Sequence, residues 1–159
     1  SEQYTLQMHN LDTGSVSKIL LDSSNAISDI YQLEVDEGSA WIRCRVYDGE
    51  NYNPTILHID LSTGEPLTIP RFGAGRVAQL LVSQEKVVLR EVYDDCTIIS
   101  TWAKSGEYIA GVKYPQESEH GFMTIDRVLT VQDKVWAAGC ITRYENEVRH
   151  RLTFFVPVE

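Results

Sequence analysis

Cysteine is scarce in this chain, and what there is of it is badly spaced for cross-linking. Cys44, Cys96 and Cys140 are odd in number, and no two show C-x-x-C spacing. Neither a disulfide framework nor a structural zinc site is expected, and buried free thiols are the simpler reading. Long apolar runs are missing as well. None approaches the roughly 20 residues that a membrane helix needs. The opening residues show no charged stretch leading into an apolar one, so no secretory leader is read there. The one Asn-x-Thr triplet, Asn53-Pro54-Thr55, is disabled by its proline. These points together give the expectation of an intracellular protein, cytoplasmic or nuclear.

Positive charge is also in short supply. Lys and Arg number 14 against 23 Asp and Glu, for a net charge of −9. Nucleic-acid binding depends on neutralising phosphates, and anionic membranes repel such a chain, so neither is an expected partner. No stretch keeps a helical period. What is present is ordinary globular material: 43% hydrophobic and 23% charged residues exclude a disordered chain. A length of 159 residues suffices for a single domain with a sizeable core.

Alternation of apolar and polar residues is the dominant pattern, and it repeats. "LHIDLSTGEPL" at 57–67 reads as a strand, a tight turn and a second strand. The same turn returns as "NLDTGSV" at 10–16 and "AKSGEYI" at 103–109, placing Gly14, Gly64 and Gly106 50 and 42 residues apart. Each glycine supplies the positive φ such a hairpin needs. A second element recurs between the turns as "EGSAWIRCRVYDGEN", "QEKVVLREVYDDCT" and "QDKVWAAGCITRYEN". It aligns Trp41, Val88 and Trp136 at spacings of 47 and 48. Apolar runs "IYQLEV", "VAQLLV" and "IDRVLTV" precede the three copies.

The unit is therefore four short strands, a to d. The first full copy is expected at 28–35, 39–48, 55–62 and 65–70, and the second at 76–83, 86–94, 96–103 and 107–113. A third offers 122–131, 134–144 and 148–157, and the N-terminal residues a c–d pair at 3–11 and 15–21. The prolines fall at or near strand ends, where a missing N–H costs least. Four antiparallel strands repeating at this interval form the blade of a β-propeller. The expected fold class is all-β, with β-propeller-type four-stranded antiparallel blades in a partial propeller. Within a single β domain over 1–159 the pieces are a partial blade (1–22), two blades (26–70 and 74–114) and a partial blade (121–159). Trp, Val and Leu of the a and b strands are the expected core between blades.

The stretches "HNLDTG", "IDLSTG" and "TWAKSG" resemble the end of the c strand in the WD40 family, apolar-x-Trp-Asp-Leu-x-Thr-Gly. Asp60 falls on the family's aspartate, with Asn10 and Trp102 at that place in the other copies. "LEVDEGSAW" is similar to the family's a–b hairpin, and Asp48 and Asp94 fit its b–c corner. Where the family has a Gly-His dipeptide this chain has "SSN", "RFGAGR" and "ESEHGF". Quinoprotein-like repeats also carry a Thr-Gly hairpin and stay open. About three and a quarter blades are visible, whereas closed propellers use roughly four to eight. The chain thus reads as part of a larger propeller, as one protomer of a homo-oligomer that closes on assembly, or as a smaller sandwich or barrel.

No catalytic constellation is visible. His9 and His58 lie on polar strand faces and read as solvated, as does His150 in "RHR". Glu117, Glu119 and His120 share the loop "QESEHG" and offer metal ligands, against the commoner reading of a solvated loop. Asp36-Glu37 and Asp94-Asp95 read as turn residues rather than an acid–base pair. Placing a binding face as the WD40 resemblance implies, at the d–a and b–c connections, singles out Tyr52, Arg71, Phe72, Arg76, Glu119 and His120. Tyr, Phe and Arg are common interface anchors, although packing of Phe72 into the blade stack is the commoner reading for a large apolar residue. The expected function is a non-catalytic scaffold for a protein or peptide partner, with no cofactor. The alternatives are a propeller enzyme or cofactor-binding domain with a site between blades, and a structural subunit that completes a ring.

Overall fold

The computed structural model describes residues 4–21, 26–68, 76–83, 85–132 and 134–158. Among them every regular element of two or more residues is a strand, and no helix is long and apolar enough to cross a membrane. Contacts divide the chain into two compact units, Ser1–Gly75 and Arg76–Glu159.

In the first unit, β1 (Thr5–His9) and β2 (Val16–Leu20) form a two-stranded antiparallel sheet. β3 (Ala26–Asp36), β4 (Ser39–Tyr47), β5 (Tyr52–Asp60) and β6 (Pro66–Thr68) follow as a four-stranded antiparallel meander. Ile42, Cys44, Leu57 and Ile59 form the buried face of that meander, and Tyr4 and Leu6 pack on it from the N-terminal hairpin. Burying side chains of this size contributes about 1.5–3 kcal/mol each. The hairpin is also pinned by polar contact, since the Tyr4 hydroxyl donates to the carbonyl of Ser28.

In the second unit, β7 (Val77–Val82), β8 (Lys86–Val92), β9 (Cys96–Ala103) and β10 (Tyr108–Pro115) form another meander. The last sheet has the order β11 (Glu117–Ser118), β12 (Gly121–Val131), β13 (Lys134–Glu145) and β14 (Val148–Pro157). Its a, b and c strands lie where the alternation predicts them. The fourth strand is the two-residue β11, which pairs in front of the a strand and has no signal in the sequence. Val88 and Ile99 of one sheet pack with Ile125, Val128 and Ala137 of the other.

The repeat is deeper than its residues show. Each a strand carries a bulge at the same place, beside Tyr31, Ala78 and Asp126, which stand 47 and 48 residues apart. That is the spacing of Trp41, Val88 and Trp136, each the third residue of its b strand. The turn glycines Gly14, Gly64 and Gly106 all have positive φ, as their pattern predicts. Gly64 is held tightly as well, because a Cβ there would stand 2.6 Å from Ile19 Cγ2. Asn10 and Asp60 cap their turns by accepting the amides of Asp12 and Thr13, and of Ser62 and Thr63. In the remaining copy the equivalent place belongs to Ala103 rather than Trp102. That turn is one residue shorter, closing Ala103 N to Glu107 O where the others close Asn10 to Ser15 and Asp60 to Glu65.

Four further expectations need correction. β5 starts at Tyr52, so Pro54 lies inside it, opposite Arg45. Among the described residues β6 pairs only with His58 and Ile59, so no described strand flanks the first half of β5 on that side, a setting where proline is tolerated. His58 is not simply solvated; its ring stacks on Trp41 with centroids 4.0 Å apart. The apolar residues of strands a and b are not uniformly core. Trp41, Leu80 and Leu89 are fully buried, whereas Leu33 and Val35 are 44% and 62% exposed on β3, an edge strand of its sheet. Finally, Trp102 serves a polar chain rather than a turn: its Nε1 donates to Ser100 Oγ, which donates to the buried Glu91, also reached by the Tyr93 hydroxyl.

The three thiols sit in different fields. All are buried, at 0%, 3% and 5% exposure for Cys44, Cys96 and Cys140. Burial pushes the Cys44 thiol up to about 12. Burial, then a hydrogen bond to Asp95, raises Cys96. A hydrogen bond with Thr124 and the nearby Arg151 lower Cys140. Iodoacetamide at pH 8, read by peptide mass spectrometry, is expected to modify the native chain slowly, Cys140 first and Cys44 last, and all three at once in guanidinium. Because Cys44 stays protonated in the fold, its contribution to stability is complete below the ordinary thiol value of 9.0 and is lost as pH climbs towards about 12. Prompt labelling of Cys44 in the native chain would contradict its placement.

Candidate functional site

Strand alternation puts Trp41, Arg43, Arg45 and Tyr47 on one face of β4, opposite the Ile42–Cys44 core face. Burial fades along that face. Trp41 is enclosed, Arg43 partly so, and Arg45 and Tyr47 are exposed. Two groups of side chains lie along the less buried part of this face. The Tyr31 ring lies under two guanidinium groups, Arg43 at 4.9 Å and Arg45 at 5.8 Å from its centroid. Arg45 also faces Asp29 at 3.9 Å. Tyr47 and Tyr52, register partners on β4 and β5, hold their rings 4.9 Å apart and tilted by 41°.

The neighbouring turn keeps this surface ordered. Asp48 accepts the amides of Glu50 and Asn51 and the side-chain amide of Asn53. Those bonds, the backbone ones first, hold its carboxyl below the usual carboxylate range. The Tyr47 hydroxyl donates to Gly49 O at 2.7 Å. Tyr47 is thus held by its turn, while Tyr31, Tyr47 and Tyr52 remain 47%, 37% and 58% exposed. Partly exposed Tyr side chains of this kind offer large contact areas at little entropic cost, and Arg adds charge and hydrogen-bond donors.

Of the six residues singled out from the sequence, Tyr52 belongs to this surface, and Arg71 and Phe72 lie outside the described residues. Arg76, Glu119 and His120 belong to the second unit. Arg76 reaches across its sheet to Asp94 at 3.5 Å and over the Tyr93 ring at 5.5 Å. His120 Nε2 stands 3.4 Å from Glu119 Oε1 in the β11–β12 turn. Among the described residues no three His, Cys, Asp or Glu side chains gather as a metal site. Tyr31, Arg45 and Tyr47 were missed, although the odd-numbered run Arg43-Arg45-Tyr47 on one strand face was a signal for two of them.

No family model and no curated protein matches the chain. A solved structure of a prolyl endopeptidase is similar over 99% of this chain and 27% of that chain, with a TM-score of 0.52 and 9% sequence identity. At that identity the likeness shows fold alone: an all-β, propeller-like set of four-stranded antiparallel sheets.

Proposed function

We propose that the chain is a non-catalytic interaction module built from WD40-like blades, and that it meets a protein partner through Tyr31, Arg45, Tyr47 and Tyr52. The observation that carries this reading is the exposed tyrosine pair at 4.9 Å, braced by the Asp48 turn and flanked by Arg45. Rigid aromatic anchors beside an arginine are what a small interface needs for a few residues to carry most of its affinity. A photo-crosslinking residue at position 52, followed by mass spectrometry of its adducts, is expected to capture a defined protein. Tyr52→Ala and Arg45→Ala are then expected to weaken the purified complex about tenfold or more each, without a change in melting temperature. Loss of melting temperature in step with affinity, or adducts with no defined protein, would count against the proposal.

The likeness to a prolyl endopeptidase favours a second reading, in which the chain is a propeller-like portion of an enzyme with its site between blades. Native mass spectrometry separates the two, since a retained small molecule supports the second.

A further inference from the structure

We infer that the partner segment seated on the Tyr47–Tyr52 pair is cationic, with an arginine lying on the exposed rings against the carboxylates of the turn between them. This rests on the reading of that surface as an interaction site and names the chemistry of its partner. The stretch behind it is "YDGENY", residues 47–52. Tyr47 ends β4 and Tyr52 begins β5, so the four residues between them form the tip of one hairpin. That tip holds two carboxylates, Asp48 and Glu50, and no cation. Both are exposed. Tyrosine rings at the foot of an acidic turn suit a cation, because the ring faces are electron-rich and the carboxylates supply the counter-charge.

The charges around the pair favour the same sign of partner. Residues 26–60 carry seven carboxylates against two arginines. Both arginines are engaged, since Arg43 and Arg45 lie over Tyr31 and Arg45 also faces Asp29. The carboxylates of the turn are not engaged in that way. Asp48 accepts only neutral amides, which keep it ionised and leave its charge in place. Glu50 has no ion pair with a described residue. An acidic segment, or a second copy presenting the same turn, would set like charge against like.

The rings point to arginine in particular. Tyr31 shows that a tyrosine of this sheet accepts guanidinium groups, at 4.9 and 5.8 Å from its centroid. Tyr47 and Tyr52 touch each other, and among the described residues no cation stands over either. The Tyr47 hydroxyl is engaged with Gly49 O, so its ring is what it offers a partner. A planar guanidinium can stack on such a ring and still donate sideways to a carboxylate, which a compact ammonium does less well. Arg45 keeps donors for main-chain carbonyls of the same segment, so its truncation weakens the complex whatever the sign of the partner.

The test is an NMR titration of the full chain with three short peptides, in which glycine alternates with arginine, glutamine or glutamate. The arginine peptide is expected to shift the ring signals of Tyr47 and Tyr52 and the amide of Glu50, and the other two to bind there about tenfold more weakly or worse. A chain of net charge −9 attracts cations over its whole surface, so equal charge changes are compared at two places. Glu50→Lys is expected to weaken the arginine peptide about tenfold, and Tyr52→Ala about threefold or more. Glu37→Lys, in the turn at the far end of β4, should change it less than about twofold. The shifts in the unsubstituted chain cover the case of a misfolded variant. Equal weakening by the two lysine variants would reduce the attraction to net charge and overturn the inference. Equal or stronger shifts with the glutamate peptide would overturn it too, while leaving the surface itself in place as an interaction site. If the arginine peptide shifts neither tyrosine the inference also fails, and the surface then depends on crosslinking at position 52 alone.

Discussion

Trp41→Ala is expected to cost about 3–5 kcal/mol in a urea titration, the upper range for truncating a core side chain. Trp41 has no exposed surface and stacks on His58 at 4.0 Å with 15° between the rings. Removing the indole leaves a void that β4 cannot collapse into, because Glu34 and His58 fix it by register on both sides. Trp136 is the control. It holds the same place in β13 and stacks on Phe155 at 4.7 Å, but it is only half-buried. Its truncation removes less area from a dry environment, so about half the loss is expected. Trp41→Phe, which keeps a ring against His58, should recover much of the difference. Equal losses for Trp41→Ala and Trp136→Ala would show that position in the repeat, not enclosure, sets the cost.

That contrast also marks how much of the molecule could be read in advance. The third-residue position of Trp41, Val88 and Trp136 follows from alternation and spacing, both local properties. So do the positive φ values at Gly14, Gly64 and Gly106, and the starts of β4, β8, β13 and β14 at 39, 86, 134 and 148. What local pattern cannot encode is which face of a strand meets another sheet. "IYQLEV" and "VAQLLV" alternate alike, yet Leu33 is 44% exposed and Leu80 is 0%. The bulge beside Tyr31 interrupts the ladder where that ring lies under Arg43 and Arg45, so Tyr52 could be placed at its corner while Tyr31 could not. The use of Gln79 is equally hidden, because its partner Val128 lies 49 residues away.

Gln79→Leu is expected to cost about 2–4 kcal/mol, although leucine keeps nearly the same volume. The Gln79 amide acts as a substitute strand. Its Nε2 donates to Val128 O at 2.8 Å, and its Oε1 accepts from Val128 N at 2.8 Å. Val128 is 1% exposed, so leucine leaves a buried donor and a buried acceptor without partners, each costing about 1–3 kcal/mol. Arg90, the register partner of Gln79, donates to Ile125 O at 2.9 Å, the residue at which the β12 bulge begins. The pair thus fastens β7 and β8 to the bulged part of β12. Gln79→Glu separates the two bonds. A carboxylate can accept from Val128 N but cannot donate to Val128 O, and it faces that carbonyl with like polarity. Its pKa in the fold should rise above the usual glutamate value of about 4.3, so protonation restores the missing donor. The loss relative to the natural residue is therefore largest at neutral pH and shrinks as pH falls through that raised value. A deficit that does not change with pH would mean that the second bond contributes nothing.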